Sequence, residues 1–186
     1  MTTIRCSTDT PIPEDQVRAA LTDFSARRPE AWPNLDPGLY QVHDLGPTWA
    51  DVTEGSSFGG GIWERARYDW ADPHRVSLTV TASNAFAPGS SWEYATTPRP
   101  GGGTHIELVV SRRGRTVKGR LLAAVLRLTG RKVFCGDLAK TLRGLEKAGP
   151  VPPGERREAL GDPSVSRATR QPSEGVTEYD HDPAQY

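Results

Sequence analysis

One acidic side chain stands out among the residues that could carry chemistry, because its neighbours on a β-like segment are apolar. Side chains alternate between two faces along GIWERARYDW, Gly61 to Trp70. Glu64 shares its face with Ile62, Ala66, Tyr68 and Trp70. A carboxylate in apolar surroundings is costly unless it is hydrogen-bonded, ion-paired or neutralised by a raised pKa. We therefore expect Glu64 to bind the polar end of a ligand or to act as a general base; the alternatives are an ion pair with an arginine or contact with solvent at the sheet end.

The same alternation predicts an inward face on three further strands. Its apolar members are Val76, Leu78, Val80, Trp92, Tyr94, Ile106, Leu108 and Val110. Large inward residues form either a core or, where a fold encloses a cavity, the rigid walls of a ligand site. The candidate ligand contacts are Glu64, Tyr68, Leu78, Trp92, Tyr94 and Leu108, joined by Phe134 and Leu138 from the C-terminal part of the chain. Simple core packing is the alternative for each apolar candidate.

Other arrangements of reactive residues lack the spacing that their chemistry needs. The four histidines follow no metal-binding motif: His43, His74, His105 and His181. The glycine-rich stretches SSFGGG and PGGGT do not lead from a strand into a helix, so they predict turns and not phosphate loops. No serine stands in a GxSxG motif. We expect no metal and no cofactor, and no catalytic residue can be named.

Seven short segments, in which side-chain character alternates with a period of two residues, are the predicted strands that position the candidate residues. They are rich in β-branched and aromatic residues and are separated by glycine and proline turn signals. The last six follow one another through short links, which predicts an antiparallel meander. The predicted strands span residues 3–10, 39–45, 48–55, 61–70, 75–84, 90–97 and 104–111.

Two segments have a helical period. The first follows Pro13, has Glu14 and Asp15 in its first turn, and repeats apolar residues from Val17 to Phe24. The second follows Gly114, and Gly130 and Gly136 are expected to kink or break it. Its apolar positions are Val117, Leu121, Val125, Leu128, Phe134, Leu138, Leu142 and Leu145. We expect these to form one face that covers the sheet, and a curved sheet wrapped on one helix leaves space between them.

Four segments carry a family resemblance. They are TPIPEDQVRAALTDF, EGSSFGGGIWERARYDWADPHRVSLTV, WEYATTPRPGGGTHIELVV and GRLLAAVLRLTGRKVFCGDLAKTLRGLEK. From Thr2 to about Lys147 the chain resembles the START-like, or SRPBCC, superfamily, most closely its polyketide cyclase/dehydrase and lipid transport branch. The resemblance implies an α+β helix-grip fold, a curved seven-stranded antiparallel sheet wrapped on a long C-terminal helix, with an apolar cavity under that helix. It does not specify an activity, since the superfamily includes lipid carriers, hormone-binding proteins and aromatase/cyclases.

Length, composition and charge limit the number of domains and the classes of binding partner. A chain of 186 residues with 35% hydrophobic residues is long enough for one domain, which we place at residues 1–147. The proline-rich residues 148–186 are predicted to be a disordered tail. The net charge is zero, yet residues 112–147 hold 11 Lys and Arg against 2 Asp and Glu. This basic helix could contact an anionic membrane or a partner, or be a solvated face. Without exposed stacking aromatics on the helix, we expect no nucleic-acid partner.

The expected location is the cytoplasm. No apolar run is long enough to span a bilayer, and the first residues lack the pattern of a secretory signal. Cys6 and Cys135 have no metal-binding or CxxC spacing, so we expect both to be reduced and structural.

The leading functional hypothesis is the binding or transport of a hydrophobic small molecule, lipid-like or polyketide-like, in the cavity that the resemblance implies. One alternative is a cyclase, aromatase or dehydratase that folds a polyketide-like substrate in the same cavity, with Glu64 or a tyrosine moving protons. Another is a module that docks on a membrane or partner through the basic helix.

Overall fold

Seven strands and a long helix make up most of the chain that the structure describes. The structure is a computed structural model of the protein and describes residues 1–32, 34–57 and 60–148. The strands are β1 (Thr2–Thr10), β2 (Gln41–Leu45), β3 (Trp49–Ser56), β4 (Ile62–Asp69), β5 (Arg75–Ser83), β6 (Ser91–Pro98) and β7 (Thr104–Arg112). The helices are α1 (Glu14–Leu21), α2 (Arg28–Ala31) and α3 (Val117–Ala148), with a 3-10 turn at Pro37–Leu39. The predicted tail, beyond Ala148, lies outside the described residues.

The strands form one antiparallel sheet in the order β1-β7-β6-β5-β4-β3-β2. Strands β2 to β7 pair with their neighbours in sequence, which confirms the predicted meander. Strand β1 pairs along its whole length with β7, from Thr2 opposite Arg112 to Thr10 opposite Thr104. The first and last strands therefore meet, and the meander continues from β7 to the edge strand β2.

The predicted alternation of inward and outward side chains is present on the central strands. On β4, Ala66 and Tyr68 are buried, whereas Arg65 and Arg67 are exposed. One irregularity was not foreseen: the pairing of β4 with β5 moves from Arg65–Ala82 to Ala66–Val80, which leaves Thr81 as an extra residue. Such a bulge reverses the alternation beyond it. Ser83 is therefore buried, although a strict period of two from Val80 would place Ala82 inward.

Helix α1 covers one end of the sheet and begins as the sequence predicted. Pro13 precedes it, and Glu14 and Asp15 occupy its first turn, where the helix dipole favours negative charge. Val17 and Leu21 are its buried residues. The predicted residue Phe24 lies just beyond the helix end and is also buried.

Helix α3 is continuous from Val117 to Ala148, through Gly130 and Gly136. The single apolar face predicted for it is wrong. Val117, Leu121, Val125 and Leu128 are exposed, with 89% of the Leu128 surface accessible, whereas Leu138 and Leu142 are buried. The reason is the phase of the helix: each residue turns about 100°, so apolar positions 17 residues apart, such as 121 and 138, point about 100° apart. The prediction joined two stripes that occupy different sides of the helix.

Helix α3 runs along β1, and a series of contacts between them shows the direction. From the start to the end of β1 the partners are Thr2 with Ala123, Ile4 with Gly130, Cys6 with Cys135, and Thr10 with Glu146. Gly130 permits the approach, because a Cβ atom there would collide with the Ile4 side chain. Both cysteines are free thiols. Burial and the hydrogen bond with Cys135 raise the pKa of Cys6 to about 12.

Candidate functional site

A cavity of about 420 Å³ lies between the concave face of the sheet and the first half of α3. Its walls come from α1, α2, the strands β3 to β7, and α3. The residues on α3 that line it include Leu122, Val125, Leu126, Val133 and Phe134. The predicted contact residues that line this cavity are Glu64, Tyr68, Leu78, Trp92, Tyr94 and Phe134.

The other two candidates, Leu108 and Leu138, do not line this cavity. Both are buried in the hydrophobic core. Leu138 borders a void of about 10 Å³, together with Ile106 and Leu142, where the second half of α3 packs close to the sheet. Alternation along a strand identifies the concave face, but it does not tell where on that face the helix touches the sheet and where a space remains.

Glu64 forms a two-point ion pair with Arg112 inside the cavity. Arg112 Nη1 donates to Glu64 Oε2 at 2.7 Å, and Nη2 donates to Oε1 at 2.9 Å. The Arg112 side chain is 4% exposed and the Glu64 side chain is 16% exposed. The guanidinium carbon of Arg112 also lies 4.8 Å from the ring centre of Trp92 and 4.9 Å from that of Phe86. The ion pair with an arginine, one of the alternatives that the sequence left open for Glu64, is what the structure contains.

A second buried group of polar residues joins Arg28, Glu54 and Tyr68. Arg28 Nε donates to Glu54 Oε1 at 2.6 Å, and the Tyr68 hydroxyl donates to Glu54 Oε2 at 2.6 Å. Arg28 Nη1 donates to the carbonyl oxygens of Leu21 and Asp23 at 3.2 and 3.0 Å. Arg28 therefore ties the end of α1 to β3, and every member of the group lines the cavity.

Burial and the charges of neighbouring side chains together set the protonation of this second group. It raises the pKa of Tyr68 well above its ordinary value, and the adjacent Glu54 carboxylate raises it further. Burial by itself lowers the pKa of Arg28, but its acidic neighbours, Glu54 first among them, together outweigh this effect, so that the pKa of Arg28 lies above its ordinary value. Burial likewise raises the pKa of Tyr94. Tyr68 is consequently a neutral hydrogen-bond donor, and Arg28 is a permanent cation.

Two nitrogen atoms of the cavity residues have no hydrogen-bond partner in the described part of the chain. They are Arg112 Nε and Trp92 Nε1, and both are buried. The Trp92 ring is held by an edge contact with Phe134 at 4.8 Å between ring centres and by the Arg112 guanidinium. A third unpartnered atom, Thr141 Oγ1, belongs to a residue of the small void and not of the cavity.

Besides Glu64, the two ion pairs inside the cavity involve three residues that sequence reasoning missed, although signals for two of them were present. Glu54 has the same parity as the buried Ala50 on β3, which is the argument that identified Glu64. Arg112 continues the inward series that ends with Val110 on β7, but it was counted only as the start of the basic segment. Arg28 lies in the irregular connection after α1, where no period exists to place it.

The cavity reaches the surface beside α3. Val125 and Val133 line it and are also 45% and 43% exposed. Further apolar side chains continue outward from this mouth along the helix, and we call the set Val117, Leu121, Val125 and Leu128 the α3 stripe. The basic residues on the same part of α3 are Lys118, Arg120, Arg127, Arg131 and Lys132, and the sequence has no Asp or Glu between Arg112 and Gly136.

Within residues 1–32, 34–57 and 60–148, no cluster of His, Cys, Asp and Glu side chains is arranged to hold a metal ion. In the same part of the chain, no helix is both long enough and apolar enough to cross a membrane.

Comparison with known proteins gives similarity at the level of structure. No protein-family model and no curated protein sequence matches the chain. Among solved structures, the Zhui aromatase/cyclase from Streptomyces sp. R1128 has a TM-score of 0.62 at 16% identity, over 80% of this chain and 98% of that one. A START superfamily protein from Mycobacterium smegmatis has a TM-score of 0.64 at 13% identity, over 80% and 100% of the two chains.

A third structure is the di-domain ARO/CYC StfQ from the steffimycin biosynthetic pathway. Its TM-score is 0.59 at 11% identity, over 76% of this chain and 48% of that one. Identities this low establish the fold and not the activity. The order of the strands, the long C-terminal helix and these similarities agree: the protein has the START-like, or SRPBCC, helix-grip fold.

Proposed function

We propose that the protein binds a hydrophobic small molecule, lipid-like or polyketide-like, in the cavity under α3 and carries or sequesters it in the cytoplasm. The observation that supports this most directly is the cavity itself, whose volume of about 420 Å³ falls in the range of small-molecule sites. The free thiols of Cys6 and Cys135 are consistent with a reducing compartment.

The chemistry of the walls favours an apolar ligand with few polar groups. Leu78, Leu126 and Phe134 offer aliphatic and aromatic surface, and each 100 Å² of apolar ligand surface removed from water contributes roughly 2.5 kcal/mol. Four of the five charged wall residues are paired with one another, Arg28 with Glu54 and Arg112 with Glu64, and the fifth, Asp137, pairs with Lys140 on the same helix at 3.6 Å. The cavity thus has little unbalanced charge to attract a strongly ionic ligand.

The cyclase alternative uses the same cavity and needs a group that moves a proton. Both carboxylate oxygens of Glu64 already accept hydrogen bonds from Arg112. The raised pKa of Tyr68 keeps its hydroxyl protonated near neutral pH, so it is a poor base. These contacts favour ligand binding over proton abstraction.

Native mass spectrometry of freshly purified protein, followed by denaturing extraction of any bound compound, tests the proposal. We expect a mass above that of the chain and the release of an apolar molecule. Incubation of the protein with a plausible precursor of that molecule then separates a carrier from a cyclase, because only the cyclase changes the precursor.

Two variants of α3 test whether the ligand binds in this cavity. Val125 and Leu121 are both exposed on α3, but only Val125 lines the cavity. Val125→Trp should therefore block the mouth and weaken binding of the neutral apolar dye N-phenyl-1-naphthylamine by about tenfold or more, whereas Leu121→Trp should leave the affinity unchanged. Equal affinities in the two variants would place the dye outside this cavity.

A second candidate function is contact with an anionic lipid bilayer. It is favoured by the exposure of the α3 stripe, because four apolar side chains on one helix beside five cations form a surface suited to the interface of an acidic membrane. A second copy of the chain fits less well, since two such faces would bring like charges together. Contact here would place the cavity mouth, at Val125 and Val133, next to the lipid.

A further inference from the structure

The α3 stripe presents apolar side chains that the described part of the chain leaves uncovered. Val117 is 84% exposed, Leu121 is 67% exposed and Leu128 is 89% exposed. Successive residues of a helix turn by about 100°, so the four positions of the stripe fall within one sector of about 80°. Single exposed apolar residues are ordinary, but a row of them on one helix face indicates a contact surface.

Exposed cations border this stripe. Arg120, Arg127 and Arg131 follow one another at spacings of seven and four residues, so they form a row along α3 beside the stripe. Lys132 follows Leu128 by four residues and lies in line with the stripe. Among the described residues, no carboxylate forms an ion pair with these four cations. An occupant of this surface therefore has to bring acidic groups and apolar side chains together.

The chain itself contains a segment of that composition beyond α3. Residues 171–186 include four acidic residues and no Lys or Arg, whereas residues 155–170 include three acidic residues and four arginines. The segment EGVTEYDHD, residues 174–182, holds the four acids of the first stretch together with Val176 and Tyr179. Its charge and its apolar residues are thus complementary to the cations and the stripe of α3.

The chain between α3 and this segment is long enough for the contact. At 1.5 Å per residue along the helix, the stripe lies between about 30 and 45 Å from Ala148, where α3 ends. Residues 149–173 can span up to about 80 Å. Because the segment belongs to the same chain, its effective concentration at the stripe exceeds that of a separate molecule in dilute solution.

We propose that residues 174–182 bind the α3 stripe of their own chain and compete there with an anionic bilayer. The acids pair with the cations of α3, while Val176 and Tyr179 cover the apolar side chains. Each exposed ion pair is weak and is screened by salt, so the contact is reversible. It needs neither lipid nor ligand; only the competition rests on the proposed docking function. The contact also places the segment beside the cavity mouth at Val125.

Photo-cross-linking in the full-length protein tests the contact. Tyr179→p-benzoylphenylalanine places a cross-linker within the acidic segment, and mass spectrometry of peptides from the monomeric fraction identifies its partners. At about 0.05 M salt we expect cross-links to residues 117–133 of the same chain, and at about 0.5 M salt a yield lower by about threefold or more. Leu160→p-benzoylphenylalanine is the control outside the segment and should give few cross-links to these residues.

Two sets of substitutions that change the same number of charges test the role of the acids. Combined with the cross-linker at position 179, Glu174→Gln, Glu178→Gln and Asp180→Asn should lower the yield by about threefold or more. The matched set, Glu155→Gln, Glu158→Gln and Asp162→Asn, should leave the yield unchanged.

The same two sets, without the cross-linker, test the competition with lipid. The first set should bind phosphatidylserine vesicles about threefold more tightly than the matched set, because the stripe is free in a larger fraction of the molecules. Both sets have the same net charge, so this difference does not arise from the general attraction of the protein to the vesicle.

The outcomes distinguish the contact from the docking function. The contact is refuted if position 179 gives no cross-links to α3, if position 160 gives as many, or if the cross-links join two chains. Equal yields in the two substitution sets would refute the assignment to residues 174–182. Equal vesicle affinities of the two sets would refute the competition. If the cross-links depend on the acids but the wild-type protein does not bind the vesicles, the docking function is refuted and the contact stands.

Discussion

Arg112 on β7 and Glu64 on β4 form a two-point ion pair although β5 and β6 lie between their strands in the sheet. On a flat sheet three strand spacings would separate the two backbones by about 14 Å. The pair therefore depends on the curvature of the sheet, which brings the two strands towards one another across its concave face, and on the length of the arginine side chain. It closes one wall of the cavity and orients Arg112 over Trp92.

Breaking this pair should destabilise the protein. In Arg112→Met, Glu64, which is only 16% exposed in the wild-type protein, would lose its partner, and removal of one member of a buried pair costs about 3 kcal/mol or more. Urea unfolding measures the free energy of unfolding of the variant and of the wild-type protein. The matched control is Arg65→Met, which breaks the more exposed pair with Asp51 and should cost about 1 kcal/mol or less. Similar costs for both variants would contradict the buried character of the Arg112 pair.

Leu138 should matter for stability and not for ligand affinity. It is 4% exposed beside the small void, and Leu→Ala at such a site lowers the free energy of unfolding by about 2 to 5 kcal/mol. Val133→Ala, at a half-exposed position of the cavity, should cost about 1 kcal/mol or less. Thermal or urea unfolding gives the stability, and dye titration gives the affinity. Normal stability and weakened dye binding in Leu138→Ala would contradict this prediction and show that Leu138 contacts the ligand.

Contact with lipid should depend on charge and on the α3 stripe. We expect co-sedimentation with phosphatidylserine vesicles at about 0.05 M salt, weak association with phosphatidylcholine vesicles, and loss of binding at about 0.5 M salt, where screening is strong. Leu128→Glu places an acid on the stripe and should abolish binding; Thr97→Glu, at an exposed position on β6, is the control. No sedimentation of the wild-type protein with the anionic vesicles at low salt would refute the docking function.

The Glu14–His74 pair should give a measurable pH dependence. His74 Nδ1 and Glu14 Oε1 are 2.7 Å apart, and this hydrogen bond raises the pKa of His74 above 6.5. Burial raises the pKa of Glu14, but hydrogen bonds from Thr96 and His74 and the charges of His74 and Arg18 together outweigh it, so the pKa lies below 4.5. The stabilisation from His74 is complete below pH 6.5 and is lost as the pH rises through its raised pKa. That from Glu14 is present above pH 4.5 and is lost as the pH falls through its lowered pKa.

NMR titration of the His74 ring measures the first of these effects. Its midpoint should lie above 6.5 in the wild-type protein and move down in Glu14→Gln, because the substitution removes the negative partner. Asp44→Asn, at an exposed residue of β2, is the control and should leave the midpoint of His74 where it was. A wild-type midpoint at or below 6.5 would show that the pair does not form in solution.

Much of the fold could be predicted because its signals are local. Strand alternation identified Glu64, Tyr68, Trp92 and Tyr94 as inward residues, and each of them lines the cavity. The bulge at Thr81 escaped prediction, since nothing in the alternation of β5 itself marks an extra residue until its partner strand is known. The two stripes of α3 were joined into one face for a similar reason, because apolar spacing was matched within short windows and not followed along 32 residues.

The strands and helices, most of the inward faces and the uneven charge can be derived from the amino-acid sequence, because they depend on the period and composition of neighbouring residues. The folded structure was needed to show that Arg112 reaches Glu64, that Arg28 lines the cavity, and that Leu138 packs in the core while Phe134 lines the cavity. Those relationships join residues distant in sequence through the curvature of the sheet and the path of α3 across it. Both are set by packing of the whole domain, and no local pattern encodes them.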